Sequence, residues 1–238
     1  MPTSGSTNFS TSATNIINGA LRIVGAIGQG ETATTAQTNE ALEALNMLVK
    51  AYEADGMPLW AIKQYSVPLT ASASYYEIGL SKTVNTPKPL KVIQAFLHNN
   101  STGLDIPMRV ITRQEYNTLG NKTTTGQPIQ IWYEPLNTYG ILHTFPCADS
   151  TSATNCTINI TYQRPFEDFD SVADEPDFPQ EWFDALKYGL ADRLAPEYGI
   201  AIVDRNDIRS RAIQLKTEAL SFGTEEGSFF FQADRREW

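Results

Sequence analysis

Histidine and cysteine are almost missing from this 238-residue chain, which has two of each. His98 and His143 stand far apart on strand candidates and read as ordinary strand residues. No His-Glu-X-X-His helix occurs, and Cys147 and Cys156 make no Cys-X-X-Cys pair, so neither a standard zinc spacing nor a convergent nucleophile and base can be read. The two cysteines flank the polar stretch Ala148 to Asn155, taken as a loop; free thiols are expected, with a loop-closing disulfide as the alternative. Basic residues are scarce as well. Against 27 Asp and Glu there are 18 Lys and Arg, a formal charge of −9, which argues against a surface made to neutralise nucleic-acid phosphates or anionic lipid. No apolar run reaches the roughly 20 residues that span a bilayer. The longest, Ile16 to Ile27, is broken by Asn18 and Arg22. The opening Met1 to Asn15, rich in Ser and Thr without basic residues or an apolar core, lacks the pattern of a secretory signal, so folding in a cytoplasm is expected.

What is present is amphipathic pattern. Ile17, Leu21, Val24 and Ile27 recur at helical spacing behind the candidate cap Thr14, and Gly28 to Gly30 stop the run. Ala41, Leu42, Leu45, Leu48, Val49 and Tyr52 form the broad face of a second helix that ends at Gly56. The short connection predicts a helical hairpin. Gly25, Gly28 and Gly30 follow no strand and lead to no Gly-Lys-Ser/Thr, so they read as packing and termination rather than a nucleotide loop.

From Trp60 the period becomes twofold. Strands are predicted around Tyr65 to Leu69, Tyr75 to Ile78, Leu90 to Phe96, Ile106 to Val110, Ile129 to Tyr133, Tyr139 to His143 and Ile158 to Tyr162. Thr112 and Glu115 have capping-box spacing for a short helix closed by Gly120. Helix returns at Phe178-Pro179, with Trp182, Phe183, Leu186, Leu190 and Leu194 on one face and Pro196 beyond. A fourth helix from about Asp204 carries Ile208, Ala212, Leu215, Ala219 and Phe222 as a narrow stripe for antiparallel packing, and Gly223 ends it. The acidic stretch Glu167 to Asp177 lacks the central Gly and closing Glu of a calcium loop; its carboxylates suit the positive N-terminal end of the third helix.

The predicted fold is therefore α+β. N- and C-terminal helices form an antiparallel bundle (1–60 and 166–223) around an inserted antiparallel β-rich, sandwich- or barrel-like domain (61–165), and an extended arm (224–238) follows. The arm holds Phe229, Phe230, Phe231 and Trp238 beside Arg235 and Arg236. Aromatic anchors with a polar rim suit docking on a neighbour, or folding back over the chain's own core.

This order of parts resembles the head-to-tail adaptor, or tail-tubular-protein-A-like connector, family of short-tailed bacteriophages. The likeness rests on Ala20-Leu21, Gly25, Glu40-Ala41-Leu42, Leu45-Asn46, Leu48, Gly56 and Leu59-Trp60 in the opening hairpin. In the middle it rests on Arg113-Gln114-Glu115-Tyr116, Gly126-Gln127-Pro128, Trp132-Tyr133-Glu134-Pro135 and Tyr162-Gln163-Arg164-Pro165. Its fullest stretch is Asp177-Phe178-Pro179 with Trp182, Ala185-Leu186, Tyr188, Leu190-Ala191, Leu194-Ala195 and Glu197-Tyr198-Gly199. The resemblance implies a virion component at the head-tail junction that closes a cyclic ring, usually a dodecamer, through one repeated heterologous interface. It further implies a portal protein and a tail tube or nozzle protein as partners, and DNA passing through the lumen. No catalytic residue, cofactor, metal or membrane is expected. A dodecamer would place about a hundred net negative charges around that path, a like-charged lumen through which duplex slides.

Two other readings stand beside it: a different neck or tail-tube protein, or a carbohydrate-binding or cell-wall-hydrolytic module in which Trp132, Tyr133 and Tyr139 make a sugar platform.

Overall fold

The computed structural model describes residues 4–56 and 59–223. The arm 224–238, with every proposed docking residue (Phe229, Phe230, Phe231, Arg235, Arg236 and Trp238), lies outside the described residues.

Among the described residues the fold is mixed, with six α-helices and nine strands. Helix α1 (Ala13–Ile23) ends earlier than its apolar pattern suggests. Gly25 adopts φ +68°; its N–H donates to the Arg22 carbonyl, and the Ala26 N–H donates to that of Leu21. That is the paired 5→2 and 6→1 closure of a Schellman turn. Ile27 is thus outside the helix, and Gly25 rather than Gly28 or Gly30 stops it. At its other end, Ser12 supplies no side-chain cap. The N–H groups of Ala13 and Thr14 instead donate to the carbonyls of Asp174 and Val172, both at 2.9 Å, and the Thr14 hydroxyl donates to Val172 as well. Backbone oxygens from the acidic loop therefore satisfy donors that a helix start leaves open.

Helix α2 (Thr35–Asp55) follows. Thr34 and Gln37 cap it reciprocally: the Gln37 side chain accepts the Thr34 N–H at 3.0 Å, and the Thr34 hydroxyl accepts the Gln37 N–H at 3.3 Å. Further along come α3 (Arg113–Thr118), α4 (Ser150–Asn155), α5 (Phe183–Leu194) and α6 (Ile202–Phe222). Pro179 precedes a 3-10 turn, Gln180–Trp182, that runs into α5. The stretch taken as a loop between the cysteines is α4. It has almost no apolar residues to reveal it, and it starts because the Asp149 carboxylate accepts the Ser152 N–H at 2.7 Å. Cys147 and Cys156 are buried free thiols.

The main strands are β1 (Ile62–Pro68), β2 (Tyr75–Ile78), β3 (Lys91–Asn99), β4 (Asp105–Val110), β6 (Gln130–Pro135), β7 (Gly140–Phe145) and β9 (Cys156–Gln163). They form one curled seven-stranded sheet in the order β1-β9-β3-β4-β6-β7-β2. The short β5 (Thr125–Gly126) and β8 (Cys147–Ala148) pair separately. The sheet is not wholly antiparallel: β4 and β6 run parallel, matching Arg109 with Gln130 and Val110 with Ile131. The chain between them includes α3, and a crossover of that length returns it in the same direction.

By internal packing the chain divides into 1–48 with 169–238, and 49–168. The division falls inside α2 rather than near residue 60. The last turns of α2 bind the end of the β-rich unit: Lys50 Nζ donates to the Phe166 carbonyl at 2.8 Å and pairs with Asp168 at 2.8 Å, while the Glu53 carboxylate accepts the Phe166 N–H at 2.7 Å. In the helical unit α5 packs against both α1 and α6, with Ile17, Leu21, Leu186 and Leu190 fully buried. In the β-rich unit the core gathers Val67, Tyr76, Ile78, Leu97, Ile131, Leu142, Ile158 and Ile160.

Candidate functional site

Two features stand out, one in each unit. In the β-rich unit, hairpin register sets Trp132 of β6 directly opposite His143 of β7. The rings stack 4.5 Å apart at 12°. Tyr116, the buried residue of α3, lies 5.0 Å from His143 and 5.1 Å from Trp132, and Tyr75 approaches the imidazole from β2 at 6.4 Å. The Glu134 carboxylate faces His143 Nε2 at 3.2 Å and accepts from Arg113 at 2.7 Å; the Arg113 guanidinium sits 5.5 Å from the Trp132 ring centre. Helix α3 reaches this position through the expected capping box, in which the Glu115 carboxylate accepts the Thr112 N–H at 2.8 Å. Those hydrogen bonds from Thr112 lower the Glu115 pKa, assisted by Arg109.

Burial lowers the His143 pKa, and the Glu134 carboxylate only partly opposes it. Burial thus favours the neutral imidazole, which stacks on Trp132 with Tyr116 tilted against it. A His-Glu pair can shuttle a proton, but among the described residues no hydroxyl or thiol is hydrogen-bonded to His143, so its visible role is to lock α3 onto the β6-β7 hairpin. His98 is separate, pairing on the surface with Asp105, its cross-strand neighbour, at 2.6 Å.

The aromatic trio considered for sugar binding does not converge. Trp132 and Tyr133 are adjacent on β6 and project to opposite faces. The Tyr133 hydroxyl donates to the Pro89 carbonyl at 2.6 Å, and burial raises its pKa. Tyr139 precedes β7 and lies 4.1 Å beneath Lys82 Nζ. Among the described residues, no group of three or more His, Cys, Asp or Glu is placed to hold a metal ion, and no helix is long and apolar enough to cross a membrane.

The second feature is α6. The anticipated stripe is partly realised: Ala212 and Ala219 are buried, Ile208 and Leu215 half-buried, but Phe222 is 76% exposed. Ile202 (76% exposed) and Ile213 (58%) are also open to solvent. At 3.6 residues per turn, Ile202, Ile213 and the half-buried Leu220 align on one flank, about a quarter-turn from the Ala212-Ala219 seam. Sequence reading found the seam by its heptad spacing and missed this flank, because its members are 11 and 7 residues apart and charged residues lie between them.

Compared with known protein families and with curated proteins, the chain matches no family model and no relative.

Proposed function

We propose that the chain is the head-to-tail connector of a short-tailed phage virion: a cyclic homo-oligomer, dodecameric by resemblance, that sits beneath the portal, receives the tail tube or nozzle, and leaves a channel for DNA. The observation that carries this reading is the second apolar flank of α6. A helix whose inner seam rests within its own subunit, while Ile202, Ile213 and Leu220 line another side, has the form of an element shared between copies. Covering Ile202 would contribute roughly 1.5 to 3 kcal/mol, and the partly covered Ile213 and Leu220 less, repeated at every junction of a ring. In this reading the terminal helices form the antiparallel bundle of the ring wall and the β-rich unit faces neighbours or the tail. The arm anchors Phe229, Phe230, Phe231 and Trp238 on the portal, with Arg235 and Arg236 at the rim. The protein works without catalysis, cofactor or membrane, and its net charge of −9 suits a lumen that does not hold DNA.

The test is electron microscopy of the purified protein mixed with the portal of the same phage, where a second ring stacked on the portal is expected. Removing 224–238 should abolish that complex while circular dichroism stays unchanged. A protein that ignores portal, or a truncated one that binds it as well as the full chain, would refute the connector or the docking claim respectively.

A further inference from the structure

Along α1 and α5 the helical unit has a continuous surface groove. It starts in a depression of about 300 Å³ lined by Asn8, Phe9, Pro179, Gln180 and Phe183. One of about 230 Å³ follows, where Phe9 and Phe183 meet Ile16, Gly19, Arg22 and Lys187. It ends in one of about 440 Å³, where Arg22 and Lys187 meet Ile23, Ile27 and Tyr188. Each shares residues with the next. Aromatic and aliphatic side chains share the walls with polar ones, Glu175 in the first depression and Asp184 in the second among them; Phe9 is 68% exposed, its ring 5.9 Å from that of Phe183. Gly19 lets the Lys187 stem lie close against α1 in the middle of the groove, since a Cβ there would stand 2.8 Å from it. An apolar space of about 150 Å³ already admits a benzene ring, so each depression can take a phenylalanine side chain.

We propose that in the free, unassembled chain this groove holds the chain's own segment 224–238. Two observations choose that occupant. The first is reach. Helix α6 packs along α5 and also touches the 3-10 turn preceding it, so the end of α6, at Gly223, lies toward the start of α5, where the groove begins. Phe229 is six residues further on, within about 20 Å. The second is chemical fit. In an extended chain Phe229 and Phe231 point to one side about 7 Å apart while Phe230 points away, which matches two adjoining depressions. Glu225, Glu226 and Asp234 bracket the phenylalanines, and Arg22 lies exposed on the rim. The Lys187 ammonium is partly engaged, 2.5 Å from Asp184. The groove thereby keeps an adhesive segment covered until a partner draws it out. The inference does not depend on the ring reading, since a chain that never met a portal would still seat the segment.

The experiment places a photo-reactive benzoyl-phenylalanine at position 231, and separately at 230, in the full-length chain at a dilution where it is monomeric. Cross-linked peptides are then read by mass spectrometry. Position 231 is expected to link within the same chain to residues of 9–27 or 183–188, with several-fold higher yield than position 230. Arg22→Glu, on the exposed rim, should lower that yield about threefold. Links only to other regions, links only between chains, equal yields from 230 and 231, or no link would each overturn the proposal. Loss of portal binding with these links intact would overturn only the connector reading.

Discussion

Gly140 shows how closely one position can be dictated by its neighbour across a hairpin. A Cβ there would run into the Tyr133 ring and hydroxyl, and that ring is fixed by its bond to the Pro89 carbonyl. Gly140→Ala is expected to destabilise the β-rich unit by about 1 to 3 kcal/mol, the usual cost of overpacking, seen as a lower urea midpoint without loss of secondary structure. His143 makes a prediction about pH. Its folded pKa lies below the ordinary value of about 6.5, so in that window the unfolded chain binds more protons than the folded one. Its contribution to stability is complete above pH of about 6.5 and is lost as pH falls through the lower, folded value. Urea melts across pH 4.5–8 should show the midpoint dropping on the acid side, and His143→Phe should flatten that part of the profile. An unchanged profile would mean that Glu134 or other carboxylates carry the dependence.

Among the elements, those with their own signals were legible beforehand. Strand alternation located β1, β2, β3, β4, β6, β7 and β9, and Thr112 with Glu115 announced α3. Thr112→Ala should cost about 1 kcal/mol and loosen α3 from Trp132, measurable as faster amide exchange at residues 113–118. What stayed hidden depends on distant partners. Helix α4 has a cap but no apolar period, and the direction of β4 against β6 is not encoded by alternation. The start of α1 is capped from residues 172 and 174, which no local motif reports. The Trp132-His143 stack was half visible. With the hairpin turn centred between Asn137 and Thr138, counting outward pairs these two residues; the approach of Tyr116 and Arg113 follows only from where α3 lands.

For the whole molecule, the proposed ring makes a prediction about α6. Ile202→Asp with Ile213→Asp removes apolar surface from the exposed flank and leaves Ala212 and Ala219 in place, so the monomer should melt nearly unchanged. Self-association, followed by sedimentation at rising concentration, should weaken at least about tenfold if this flank is buried between copies. Unaltered association would place the interface elsewhere.

The helical unit's split across the chain has a further consequence. Its first 48 residues precede an insertion of 120 residues, and the segment that completes it begins at Phe169. At about 5 to 20 residues per second, a nascent chain waits on the order of ten seconds before the oxygens that cap α1 have been synthesised. During that delay Ile16, Ile17 and Leu21 lack the α5 surface that later adjoins α1. Translation therefore orders the events: the β-rich unit can close while the ribosome is still working, whereas α1 and α5 can join only after Phe183–Leu194 has been made.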